Sequence, residues 1–118
     1  MRTLLLVAAL TLVASFALAA DVVGTYTGHG ANPGGAGGYD CDVVVAKNGD
    51  VYSVQWYFGG NLGYDGVGIM KNGLFCVGFA SPQGYGVVVY TANADGSLDG
   101  VWTMPGATDL GTETLKRK

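Results

Sequence analysis

Three tight-turn dipeptides recur along this chain at nearly even spacing: Asn48-Gly49, Asn72-Gly73 and Asp95-Gly96. Asn-Gly and Asp-Gly suit the paired positive φ angles of a type I′ hairpin turn. Asn48, Asn72 and Asp95 are therefore expected in the left-handed region. Segments rich in Val, Tyr, Phe, Trp and Thr flank each turn: 39–47 and 51–58, then 64–71 and 74–80, then 85–92 and 97–103. One strand before the first hairpin (22–28) and one after the last (110–116) bring the expected count to eight. All 21 glycines of the 118 residues lie after residue 20, without the Gly-X-Y period of collagen. Helical periodicity is confined to the first twenty residues. The fold expected is all-β: a small antiparallel up-and-down eight-stranded β-barrel.

Alternation assigns the faces. Tyr52, Val54, Trp56 and Phe58 share one side of the third strand and are expected to point inward. Phe75, Val77 and Phe79 alternate with Leu74, Cys76 and Gly78, and Leu98, Gly100 and Trp102 with Ser97, Asp99 and Val101. Gly66, Gly68, Gly86 and Gly100 fall inside strands, where they allow tight curvature or close packing under aromatic rings. Trp56, Trp102 and the tyrosines suit either a ligand cavity or plain core, and core filling is the default for both tryptophans in so small a barrel. The three tight turns all lie at one end. The connections at the other end are more varied: 29–38, 59–63, 81–84 and 104–109. Tyr39, Asn61, Tyr64, Gln83 and Tyr85 lie in or beside them and are the candidate binding residues.

The first residues read as an address. Arg2 precedes an apolar run to Phe16, then Ala17-Leu18-Ala19-Ala20, the layout of a secretory signal peptide cleaved after Ala19. The expected domains are a signal peptide over 1–19 and a single barrel over 20–118, with the protein secreted or periplasmic. No membrane span is expected in the mature chain. That chain keeps five basic side chains (Lys47, Lys71, Lys116, Arg117, Lys118) against nine acidic ones. It has no basic face for nucleic acid.

The inventory for catalysis is thin. His29 is the single histidine and reads as a surface turn residue; Glu113 is the single glutamate. No nucleophile motif, zinc set or carboxylate pair is evident, so the reading is non-enzymatic, with no cofactor and no metal. Asp95-Gly96-Ser97-Leu98-Asp99-Gly100 mimics the start of a calcium loop. The twelfth position, however, is Gly106 where a bidentate Glu is needed, so a hairpin explains it better. Cys41 and Cys76 in an exported chain make a disulfide natural. They fall on the second and fifth strands, which do not neighbour each other in an ideal meander, so two free thiols are the alternative.

A resemblance runs through nearly the whole mature chain. It is carried in order by Tyr26-x-x-x-Gly30-x-Asn32-Pro33-x-Gly35, Val54-x-Trp56-x-x-Gly59-Gly60, Gly66-Val67-Gly68-Ile69-Met70, Val87-Val88-Val89-Tyr90, Asp95-Gly96-Ser97-Leu98-x-Gly100-x-Trp102-Thr103 and Gly111-Thr112-Glu113. Together these look like small secreted bacterial proteins labelled "fibronectin-binding protein". Relatives place their cysteines on the third and fourth strands, and this chain departs from that. Gly24-Thr25-Tyr26 and the Gly-x-Trp ending at Trp102 give a more distant, fold-level likeness to avidin-type and lipocalin-type barrels. The resemblance implies a secreted binding module that recognises an extracellular protein such as fibronectin through its loops or a strand edge. The alternative is a barrel that holds a small ligand.

Overall fold

A computed structural model of the chain describes residues 21–118. The signal-peptide reading of 1–19 lies outside them. Eight strands follow in order: β1 (Gly24–Ala31), β2 (Gly38–Asn48), β3 (Val51–Phe58), β4 (Asn61–Lys71), β5 (Leu74–Ser81), β6 (Gly84–Ala92), β7 (Leu98–Thr103) and β8 (Gly111–Arg117). Each pairs antiparallel with its neighbours in sequence, and β8 pairs back onto β1, closing an up-and-down barrel. Closure leaves no free sheet edge, so recognition by strand-edge addition has no template here.

The expected inward faces are the observed ones. Val54 and Trp56 on β3, Phe75 and Val77 on β5, and Leu98 on β7 are all buried. Large inward rings sit opposite glycines on the adjacent strand. Tyr90 pairs with Gly100 and Trp102 with Gly111. A Cβ on Gly100 would lie 2.6 Å from the Tyr90 ring. An eight-stranded bore is only just wide enough for side chains, so rings fit where the facing wall has none. This accounts for much of the glycine content.

Hairpin geometry departs from expectation at two of the three marked turns. Asn72 and Gly73 do form a two-residue loop with φ of 52° and 78°, as a type I′ turn requires. Asn48 instead pairs with Val51 within the ladder, so the loop is Gly49-Asp50, with positive φ at Gly49 alone. Asp95 also avoids the left-handed region. There Gly96 takes φ of 87° behind a turn closed by Gly96 N–H donating to Asn93 O at 3.0 Å. In both cases the glycine, which adopts positive φ without a steric cost, relieves its polar neighbour of it.

The two barrel ends differ. At the turn end, here the base, Val22 and Tyr26 plug the bore, and the Tyr26 hydroxyl donates to Val22 O at 2.7 Å. The Arg117 guanidinium lies 5.1 Å from the Tyr26 ring centroid and donates to Val23 O and Asp21 O. The opposite end is the mouth. Two of its four connections are two-residue loops like Gly49-Asp50 and Asn72-Gly73 at the base: Phe58 pairs with Asn61 and Ser81 with Gly84, leaving the loops Gly59-Gly60 and Pro82-Gln83. The expected contrast between three short turns and four freer loops therefore fails in part: each end mixes two-residue loops with longer connections, 93–97 at the base and 32–37 and 104–110 at the mouth. A bulge at Gly63 shifts the β3–β4 register, placing Tyr64 opposite Trp56. On the outer wall, Val67, Ile69 and Val87 are more than half exposed. Among the described residues no helix is long and apolar enough to cross a membrane.

Candidate binding cavity

Inside the mouth, five rings form a closed cycle of edge contacts. Tyr39 meets Phe58 at a centroid distance of 6.0 Å, Phe58 meets Tyr64 at 6.2 Å, and Tyr64 meets Phe79 at 5.4 Å. Phe79 then meets Trp102 at 6.2 Å, and Trp102 returns to Tyr39 at 6.1 Å. Tilted and edge-to-face contacts at these spacings are the favourable arrangement for aromatic quadrupoles. The residues come from β2, β3, β4, β5 and β7, so barrel closure itself brings them together. They enclose a cavity of about 230 Å³ whose walls continue down to Trp56, Val88 and Tyr90, with Asn32 and Met104 at the rim.

The cavity's one carboxylate is Glu113. Its position on β8, between inward Gly111 and Leu115, turns it into the bore, where it is 4% exposed. Its oxygens are filled by donors from three other strands. Oε1 accepts from the Tyr39 hydroxyl at 3.0 Å and from the Cys41 thiol at 3.7 Å. Oε2 accepts from the Trp56 indole N–H at 3.2 Å and from the Tyr90 hydroxyl. A carboxylate offers about four lone-pair sites, and an indole N–H can only donate, so the donor set matches an acceptor-only group. No buried side-chain polar atom among the described residues lacks a partner. Burial, reinforced by the Glu113 charge, raises the pKa of Tyr39, Cys41 and Tyr90 above their ordinary values, keeping all three protonated as donors.

Two of the five candidate binding residues, Tyr39 and Tyr64, line this cavity. The other three lie elsewhere. Asn61 is exposed at the end of the Gly59-Gly60 turn, and Gln83 is exposed in its turn with its N–H donating to Ser81 Oγ at 3.1 Å. Tyr85 points outward and is 65% exposed. Both cysteines are free thiols: Cys41 faces the bore, while Cys76 alternates with inward Phe75 and Val77 and so faces out. Opposite faces of the wall on non-adjacent strands rule out the disulfide. His29 sits on β1 rather than in a turn, outward and exposed, with Nδ1 2.6 Å from Asp40 Oδ1. Asp95 Oδ1 accepts from the backbone N–H and hydroxyl of Ser97, as a hairpin turn uses it.

No family model, curated protein or solved structure matches this chain. Its chemistry is therefore read from the cavity alone. Sequence reasoning missed Glu113 as the centre of that cavity. The available signal was Gly111-x-Glu113-x-Leu115, an alternation that places the carboxylate on the same face as two apolar positions.

Proposed function

We propose that this protein is a non-catalytic binding module whose barrel holds a small, largely apolar ligand in the mouth cavity. One observation carries the reading: a preformed cup of aromatic walls around a few converging polar groups, open at one end of an otherwise plugged barrel. That combination is the usual form of a small-molecule site. Glu113 supports the non-catalytic part. Both of its oxygens are already taken by donors, which suits a fixed charge better than a base that must accept a proton. The Arg2-to-Ala20 leader pattern supports an encounter with the ligand outside the cytoplasm.

A second reading, recognition of an extracellular protein such as fibronectin by the mouth, is favoured by Leu62 and Tyr85. They are 49% and 65% exposed on strands that flank two mouth turns. Aromatic side chains in such positions supply contact area at low entropic cost. Titration with the neutral fluorophore N-phenyl-1-naphthylamine separates the two. The cavity reading expects saturable emission enhancement that is abolished by Val88→Phe, which fills the cavity, and unchanged by Lys47→Ala with Lys71→Ala at the base. Absence of enhancement, together with fibronectin binding lost on Tyr64→Ala with Tyr85→Ala, overturns it in favour of the second.

A further inference from the structure

The barrel's basic side chains are sorted along its axis, whereas its carboxylates stand at both ends, with Asp21, Asp50, Asp95 and Asp99 at the base. Lys47, Lys71, Lys116, Arg117 and Lys118, all the lysines and arginines of the described residues, lie on the base half of their strands or at the chain end beside it. The mouth half carries Asp40, Asp65, Asp109 and Glu113. His29, the remaining basic group there, is held outside against Asp40, and Asp42 is neutralised by Lys118 at 2.9 Å. A ligand entering the cup therefore meets a carboxylate at the floor, Glu113, and no cation of the protein on the cavity walls, while Asp40 and Asp65 stand on the outer wall around the mouth. Aromatic walls add to this, since the faces of such rings attract cations.

The hydrogen bonds around Glu113 narrow the class further. Tyr39, Cys41, Trp56 and Tyr90 use its acceptor capacity. An incoming primary ammonium would leave water and find few acceptors for its three N–H groups. An N-alkylated ammonium has few or no N–H groups to satisfy. It can place its charge above the carboxylate and its alkyl groups against Tyr64, Phe79 and Trp102.

Resting on the cavity reading, we infer that the ligand carries an N-alkylated ammonium group, which the aromatic ring encloses while Glu113 supplies the counter-charge from below. Calorimetric titration of the unaltered protein tests this with three probes of similar size. Phenyltrimethylammonium and tert-butylbenzene differ in charge at constant shape, and benzylammonium restores the N–H donors. The expected order is phenyltrimethylammonium tightest, by about tenfold or more over the neutral isostere, with benzylammonium weaker than the quaternary cation. Glu113→Gln should shrink the advantage of the cation while keeping binding of tert-butylbenzene, and the comparison on unaltered protein stands even if that variant does not fold. Equal binding of the cation and the neutral isostere, or tighter binding of the neutral one, overturns the charge inference and leaves the cavity reading intact. Benzylammonium binding as tightly as the quaternary cation overturns the N-alkyl part. Binding of none of the three overturns both the inference and the cavity reading.

Discussion

Tyr90→Phe removes a single oxygen from the centre of the molecule and leaves its packing in place. The ring is fully buried, stacks on Phe75 at a centroid distance of 6.0 Å, and lies over Gly100; phenylalanine preserves all of this. What is lost is one of the two donors on Glu113 Oε2, which leaves Trp56 alone on that oxygen. A hydrogen bond to a charged group contributes about 1.5–3 kcal/mol. The loss should fall in that range, a large share of the roughly 5–15 kcal/mol that holds a domain folded. In urea this corresponds to a midpoint lower by roughly 1 M at an unchanged slope. The matched control is Tyr57→Phe, which deletes a hydroxyl on the outer wall that donates to Gln55 Oε1 at 3.0 Å. There water replaces the partner, and the expected loss is at most about 0.5 kcal/mol. Equal losses in the two variants, or no loss in Tyr90→Phe, would refute the claim that the Glu113 network is a buried, charge-assisted one.

Three further outcomes follow from the same geometry. Stability should fall as pH rises above about 9, measured as the thermal midpoint between pH 8 and 11. Tyr26, Tyr39, Cys41 and Tyr90 all have raised pKa values, so the unfolded chain releases these protons first and binds fewer than the folded one; this contribution is fully present below the ordinary thiol and phenol values, and a midpoint constant to pH 11 contradicts it. Gly86→Ala should cost about 1–3 kcal/mol in denaturant titration, because the new methyl would collide with Thr103 O and the Phe79 ring; Gly78→Ala, whose methyl meets open space, is the control. In the folded protein a maleimide should modify Cys76 readily and Cys41 only on unfolding, since Cys41 is buried and its thiol is held protonated; equal labelling of both, or none before reduction, contradicts the free, oppositely facing thiols.

The strands were legible because a half-buried wall forces a period of two, and Val54, Trp56, Phe75 and Val77 keep to it. The turn positions were legible too, but not the conformations of Asn48 and Asp95. A dipeptide signals that the chain reverses, while ladder register decides which residue takes the positive φ. The cavity was the least legible part. Its five rings come from five strands, and a single sequence does not show which inward positions share one height in the bore. Glu113 looked like an isolated carboxylate because its four partners, Tyr39, Cys41, Trp56 and Tyr90, lie 74, 72, 57 and 23 residues before it, separations that no spacing rule would detect.

The central claim is that ligand binds inside the mouth. Proton–nitrogen correlation spectra of the labelled protein, recorded during titration with phenyltrimethylammonium, locate the site directly. The account predicts saturable shifts at the indole N–H groups of Trp56 and Trp102 and at the Gly111 amide, with the base-turn amides of Gly49, Gly73 and Gly96 unmoved. Shifts confined to those base turns or to the outer wall at Val67, Ile69 and Val87, or no shifts at millimolar probe, would contradict it.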